Sequence, residues 1–314
     1  MPSLIRSLHH VTATADDAQA DLDFYARLLG MRLVKKTVNF DNPGVYHFYY
    51  GNEQGTPGTI WTTFPYKGMG VPVGTKGAGQ ITTTSFSVPQ GSLDFWRARL
   101  EKLGASVTGR ATGFGEDALT VIDPSGLIVD LVANARDQRP PWVPSDVPGE
   151  HAIRGLHSVT LTIRHPAPTI AFLKEVLGFT VVNEARDRTR LGVGTGDEPG
   201  KTVEILHSPD APEARNGLGT VHHVAFAVES ALDQVRKREE LLEMGWKVTE
   251  VLDRQYFTSI YFREPGGVLY EIATIPPGFA IDETVPELGR GLKLPPWEEP
   301  RRAQIESVLP KVVA

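Results

Sequence analysis

The sequence predicts an α+β chain of four βαβββ modules arranged as two similar domains. Three observations carry that prediction. Four segments open with strands of one type: LHHVTAT from Leu8, ITTTSFSV from Ile81, LHSVTLTI from Leu156 and VHHVAFAV from Val221. Each is followed by a helical pattern that ends at a glycine, namely Gly30, Gly104, Gly178 and Gly245, the residue best suited to the position just past a last helical turn. The segments also align with one another at nearly constant offsets. His9 pairs with His157, Phe24 with Phe172 and Gly30 with Gly178, each 148 residues apart, while Phe86 pairs with Phe226 and Pro124 with Pro265 at offsets of 140 and 141. The order is A–B–A′–B′, a duplication of a duplication, and such self-similarity outranks local propensity in deciding a fold.

Taken in order, the first helix carries Leu22, Tyr25, Leu28 and Leu29 on one stripe, which faces the core. Short β-runs with turn residues follow each helix. Asp123-Pro-Ser-Gly and Glu264-Pro-Gly-Gly mark the same turn before the last strands of the second and fourth modules. Residues 1–135 hold the first pair of modules and 156–275 the second. Residues 136–155 lie within NARDQRPPWVPSDVPGEHAIRG, whose prolines and charges make a linker. Residues 276–314 form a Pro-rich tail, with LPPWEEPRR near its end, that wraps the surface.

Composition narrows the function classes. In 314 residues, 40% hydrophobic content gives enough apolar surface for real cores, and a formal net charge of −6 offers no basic footprint for nucleic acid or an anionic membrane. Cysteine is absent, which removes disulfides, a thiolate nucleophile and cysteine-type zinc sites. There is no apolar run of transmembrane length, and the N-terminus lacks a signal-like apolar stretch, so a cytoplasmic enzyme is expected. The oligomeric state is not fixed, and a homo-oligomer is left open.

Side chains on a strand alternate between two faces. Splitting the four opening strands by parity puts His10, Thr12 and Thr14 on one face of the first, Thr83, Ser85 and Ser87 in the second, Ser158, Thr160 and Thr162 in the third, and His223, Ala225 and Ala227 in the fourth. These small or polar faces line a concavity. The opposite faces carry Val11, Phe86, Val159 and Phe226 and pack under the helices. By strict alternation His9, His157 and His222 also point away from the concavity. The closing strands add one position per module: Thr62, Asp130, Glu204 and Glu271. Pooling the first and fourth modules gives His10, His223 and Glu271. Pooling the second and third gives Asp130 and Glu204 and no histidine, which reads as a degenerate cup.

Two imidazoles and one carboxylate on one side of a metal leave positions open for substrate and dioxygen. Fe(II), Mn(II) and Zn(II) all suit such a set. A lone histidine in a strand is most often a satisfied core residue, but here two occupy equivalent repeat positions with a glutamate at a third. Thr62 is a poor fourth ligand. Elsewhere, Thr195-Gly-Asp-Glu-Pro-Gly-Lys-Thr202 lacks the first glycine of a phosphate loop and reads as a hairpin turn.

These residues resemble the vicinal oxygen chelate superfamily, which includes glyoxalases, extradiol dioxygenases and bleomycin-resistance proteins, over roughly residues 4–280. LHHVTA, VHHVAF and DRQYFTSIYFREPGGVLYEIAT are similar to ring-cleaving dioxygenases that act on hydroquinones. The resemblance implies the vicinal oxygen chelate fold. It also implies a non-haem Fe(II) enzyme of extradiol type, taking a small dihydroxylated aromatic substrate and O2. The second histidine of each pair and the strand glutamate, His10, His223 and Glu271, are then the metal ligands. His9, Thr12, His222, Arg254 and Tyr261 match catalytic positions around the metal, with Arg254 holding a phenolate or the anionic product and Tyr261 donating a proton or hydrogen bond. Mn(II) or Zn(II) would be a surrogate for iron. A glyoxalase-type isomerase or lyase, and a drug-binding resistance protein without catalysis, are the alternatives.

Overall fold

The computed structural model describes residues 3–194 and 196–313. The first residue of the Thr195–Thr202 turn lies outside them. Each module is one βαβββ unit. The first contains β1 (Ile5–Ala15), α1 (Ala18–Leu22, continued by a π-helical turn over Asp23–Leu28), β2 (Arg32–Asn39), β3 (Asn42–Gly51) and β4 (Ile60–Pro65). The second contains β5 (Gln80–Pro89), α2 (Leu93–Lys102), β6 (Val107–Ala111), β7 (Asp117–Ile122) and β8 (Ile128–Asn134). The third contains β9 (Gly155–Ile163), α3 (Pro166–Glu175), β10 (Phe179–Ala185), β11 (Arg188–Val193) and β12 (Thr202–His207). The fourth contains β13 (Thr220–Val228), α4 (Ala231–Glu243), β14 (Leu252–Asp253), β15 (Thr258–Arg263) and β16 (Leu269–Thr274). The four glycines that end the helical patterns all have positive φ: 67° at Gly30, 82° at Gly104, 71° at Gly178 and 86° at Gly245. The two matched turns are built alike, with the Asp123 carboxylate accepting from the Ser125 and Leu127 amides and Glu264 from those of Gly266 and Val268.

The modules pair into two eight-stranded curled sheets. One runs β14-β15-β16-β13-β1-β4-β3-β2 and the other β10-β11-β12-β9-β5-β8-β7-β6. Within every module the opening and closing strands are parallel neighbours. Between modules, β1 meets β13 and β5 meets β9, both antiparallel. The two halves of the chain are therefore interleaved: each contributes one module to each sheet. This is the pooling of first with fourth and second with third that the histidine pattern suggested.

The helix-side faces read from parity are buried. Val11, Phe86, Val159, Val224 and Phe226 have no exposed surface and join one continuous core with Leu22, Tyr25 and Leu29. Each such side chain contributes about 1.5–3 kcal/mol through burial. The tail is stitched across the β2 edge. Leu292 bridges Lys36, and Lys35, fully buried, meets Asp282 and Glu283 at 2.5 Å each. Phe279 packs on Tyr49 and Tyr256, with ring centroids 5.0 and 5.1 Å away. The linker is pinned by Arg139, whose guanidinium donates to the carbonyls of Gly58 and Leu156. Among the described residues, no helix is long and apolar enough to cross a membrane.

All four opening strands carry a β-bulge at the same place. In β1, Leu8 and His10 face the consecutive residues Phe226 and Ala225, which leaves His9 as the extra residue. In β13, His223 and Val221 face Thr12 and Ala13, which leaves His222 extra. The same count makes Thr82 extra in β5 and His157 extra in β9. A bulge re-aims a side chain, so alternation fails at these four positions.

Candidate active site

The β1–β13 junction sets the floor of the first cup. His10 on β1, His223 on β13 and Glu271 on β16 are all buried, and their ligand atoms converge. His223 Nε2 lies 2.8 Å from Glu271 Oε2, His10 Nε2 lies 3.3 Å from the same oxygen, and the two Nε2 atoms are 3.3 Å apart. Glu271 Oε2 has no well-formed hydrogen bond in spite of this crowding. The other carboxylate oxygen accepts from Ser259 Oγ.

The bulges explain how each ring is aimed. His9 Nδ1 lies 2.8 Å from His10 Nδ1, and His222 Nδ1 lies 2.7 Å from His223 Nδ1. His9 and His222 thus face their neighbours in the cup instead of pointing away, which corrects the expectation from alternation. At each contact one nitrogen must carry the hydrogen and the other accept it, which ties the tautomer of each cup histidine to that of its neighbour. Burial, then the neighbouring imidazole, pushes His9 and His222 down to about 3, so both are neutral at ordinary pH. The Thr274 backbone acts the other way on His9, favouring its protonated form, but is the smallest of the influences on it. Burial also pushes His223 down. For Glu271 burial acts upward, but His10 and His223 outweigh it and hold the carboxyl well below its usual range.

This donor set fits a divalent metal. Ligands about 2.0–2.2 Å from a common cation lie about 2.8–3.1 Å apart on an octahedral face, close to the 2.8–3.3 Å separations here. Two imidazoles and an ionised carboxylate with one orphaned oxygen can direct three lone pairs at one cation. The opposing position is Thr62 on β4. Its Oγ1 donates to Thr12 Oγ1 at 2.8 Å and sits 2.9 Å from His47 Nε2, so it is already engaged.

Above this floor opens a cavity of about 410 Å³. Arg254 and Tyr261 line it with His10, Thr12, His222 and His223. Arg254 Nε donates to the Tyr261 hydroxyl at 3.2 Å, and its two terminal nitrogens reach the Asp41 carboxylate at 3.1 and 3.3 Å. Asp41, 73% exposed, sits in the β2–β3 hairpin at the cavity mouth. Burial opposes the Arg254 charge, yet Tyr261 and Asp41 raise its pKa further. Tyr261 is pushed up by burial and then by Glu271, so it keeps its proton. Phe257, Phe64, Tyr49 and Leu269 supply apolar wall. The sequence reading missed His47, Asp41 and Ser259. By cross-strand register Tyr49 pairs with Thr62 as Tyr261 pairs with Glu271. Aligning the third strands of the modules, as well as the first and last, would have set His47 opposite Ser259.

The second cup holds more than Asp130 and Glu204. His157, carried in by its bulge, places Nε2 3.2 Å from Glu116, so the cup does contain an imidazole. It also contains its own cation. Arg190, at the register position of Tyr49 and Tyr261, reaches Glu116 at 2.5 Å and Glu204 at 2.7 Å and lies 4.4 Å over the Phe114 ring. Glu204 therefore serves Arg190, and Asp130 accepts from Thr120 at 2.6 Å.

A sequence profile of the Glyoxalase/Bleomycin resistance protein/Dioxygenase superfamily matches residues 7–131 and 155–272. The chain belongs to that superfamily. Within it, the chain is 47% identical to MhqE of Bacillus subtilis (strain 168), provisionally named a ring-cleaving dioxygenase, over 97% of this chain and 98% of that one. It is 35% identical to a chlorohydroquinone/hydroquinone 1,2-dioxygenase of Sphingobium indicum, over 95% and 94% of the two chains. A crystal structure of a provisionally named dioxygenase from Bacillus subtilis superposes with a TM-score of 0.93 at 40% identity, covering 99% of this chain and 98% of that one. Maize glyoxalase I, at 16% identity and a TM-score of 0.63 over 85% of this chain and 92% of that one, shares the fold.

Proposed function

We propose that the chain is an iron(II)-dependent, extradiol-type dioxygenase that opens the ring of a hydroquinone-like aromatic. The observation that carries this reading is the convergence of His10 Nε2, His223 Nε2 and Glu271 Oε2 at the base of a cavity walled by Arg254 and Tyr261. It is supported by the name of the Sphingobium relative. His10, His223 and Glu271 would hold the metal. Bound iron(II) supplies Lewis acidity toward a phenol and one-electron chemistry toward dioxygen. Mn(II) or Zn(II) would fill the same ligands as a surrogate.

The chain's own residues do the rest. The cavity volume falls at the small end of the about 300–1,000 Å³ usual for ligand sites, which suits a single ring. Phe257, Phe64 and Tyr49 flank that ring and exclude water. Arg254 offers a rigid donor fork, so an entering phenolate or a leaving carboxylate can take the place of Asp41 in it. Tyr261 keeps its proton and can donate it to an oxygen of the bound aromatic or its product. His9 and His222 hold the rings of His10 and His223 in one tautomer and one orientation. The reaction balances as one hydroquinone and one dioxygen giving one product with all their atoms. The bond between a hydroxylated carbon and its C–H neighbour breaks, the first becoming a carboxyl carbon and the second an aldehyde.

The test is a substrate screen on protein loaded anaerobically with iron(II). Oxygen uptake with hydroquinone, weaker or absent with catechol, is expected. Conversion of a glutathione hemithioacetal without oxygen uptake would replace this reading with a glyoxalase-type isomerase. Neither reaction, with tight binding of an aromatic drug, would leave a binding protein.

A further inference from the structure

Three side chains at the cup floor form a hydrogen-bonded row whose direction is fixed by proton count. Thr62 Oγ1 donates to Thr12 Oγ1 at 2.8 Å. A hydroxyl has one proton, so toward His47, 2.9 Å away, Thr62 can only accept. His47 Nε2 must then carry the hydrogen, and Nδ1 is bare. At the other end Thr12 has received a hydrogen bond and still holds its own proton. Among the described residues no acceptor takes that proton, and Thr12 lines the cavity beside His10 and His223.

We propose that His47, through Thr62, is a positioning residue that fixes the Thr12 hydroxyl as a donor to an oxygen of the bound aromatic. The proposal rests on reading the cavity as a phenol site. All three side chains are buried, so the row is shielded from competing water and each bond polarises the next. The His47 ring is clamped between Tyr49 and Phe64, with centroids 4.0 and 4.2 Å away, so its nitrogens cannot exchange places by a ring flip without repacking both neighbours. Burial, and after it the nearby His10 and His223, holds His47 well below the usual histidine range. A neutral ring with one N–H is what the row requires. The same row explains why Thr62, standing where a fourth ligand would come from, is unavailable as one. The hydrogen bond that Thr12 Oγ1 receives occupies one of its three staggered positions, so its own hydrogen is confined to the remaining two.

Two measurements decide it. Long-range 1H–15N NMR of the metal-free protein, with His47 assigned by comparison with His47→Gln, should show the proton on Nε2. A proton on Nδ1 overturns the proposal whether or not the protein opens aromatic rings. The second measurement is a double-mutant cycle on iron-loaded protein. Thr62→Val keeps shape and metal content and should lower kcat/KM for hydroquinone by about tenfold. Thr62→Ser should restore it. In a Thr12→Val background, Thr62→Val should cost less than about twofold. Additive losses with normal iron content and thermal stability also overturn the relay. An inactive wild type whose His47 carries the proton on Nε2 instead removes the dioxygenase reading and leaves the row standing.

Discussion

At the scale of single residues, the site turns on Glu271 Oε2, a buried carboxylate oxygen that two imidazole nitrogens crowd without satisfying. If His223 is a ligand, His223→Ala loses metal as well as turnover. Arg254→Ala and Tyr261→Phe should keep their iron and lose about 10²–10³-fold in turnover. A fall in kcat alone assigns them to the transition state, whereas a rise in KM assigns them to the bound phenolate. Metal analysis beside steady-state kinetics separates these cases, and full activity in both variants returns Arg254 and Tyr261 to a structural role. His9 makes a subtler claim. Because its Nδ1 lies 2.8 Å from His10 Nδ1, His9→Ala should weaken metal binding by about 10- to 100-fold in a chelator competition while the strand stays paired. Unchanged affinity would mean that the ring of His10 is aimed by packing alone. His10, His223 and Glu271 were readable from sequence because alternation holds at their positions. His47 was not, because its partner Thr62 is identified by cross-strand register and not by any local motif.

At the scale of elements, the bulged opening strands show both the reach and the limit of parity. A bulge adds one residue without changing composition, so alternation predicted that His9, His157 and His222 leave the cup, and the fold brings all three back. The doubled histidines at matching repeat positions were the available signal. The first helix adds a pH-dependent element. Asp21 accepts hydrogen bonds from Tyr50 and Thr63 at 2.7 and 2.6 Å. Burial nevertheless pushes its carboxyl up to about 7, and that of the neighbouring Asp123 up to about 6. Since the unfolded value is near 3.9, the native state binds more protons between about pH 4 and pH 7. Stability from this group therefore falls as pH rises through that window. Asp21→Asn removes the titration. Its stability relative to wild type should rise from pH 4 to pH 8 by on the order of 2–4 kcal/mol, measured by denaturant unfolding at each pH. A pH-independent difference would show that Asp21 stays ionised and is solvated.

For the whole molecule, interleaving is what makes one good cup from distant parts of the chain. The antiparallel β1–β13 junction joins modules that are 213 residues apart at His10 and His223. The repeat offsets made the modules readable, and the distribution of histidines made their pairing readable. The tail was different. Lys35 reads as an ordinary strand lysine, and only the arrival of Asp282 and Glu283 from the far end of the chain explains its full burial. The two cups also divide the labour of charge. In the second, Arg190 stands where a cation would and bridges Glu116 and Glu204, with Arg188 also 3.5 Å from Glu204. Wild-type protein should therefore bind one equivalent of divalent metal, not two. Arg190→Ala should lose about 3–5 kcal/mol of stability and recover part of it with Mn(II), which the thermal midpoint with and without metal would show. Two tightly bound equivalents in the wild type would contradict this division. The most direct test of the whole account is oxygen consumed per hydroquinone consumed, followed on an electrode as iron(II) is added to metal-free protein. No uptake is expected before iron, one dioxygen per hydroquinone once one equivalent is bound, and none in His223→Ala. Undiminished uptake in that variant, or none in the iron-loaded wild type, would contradict it.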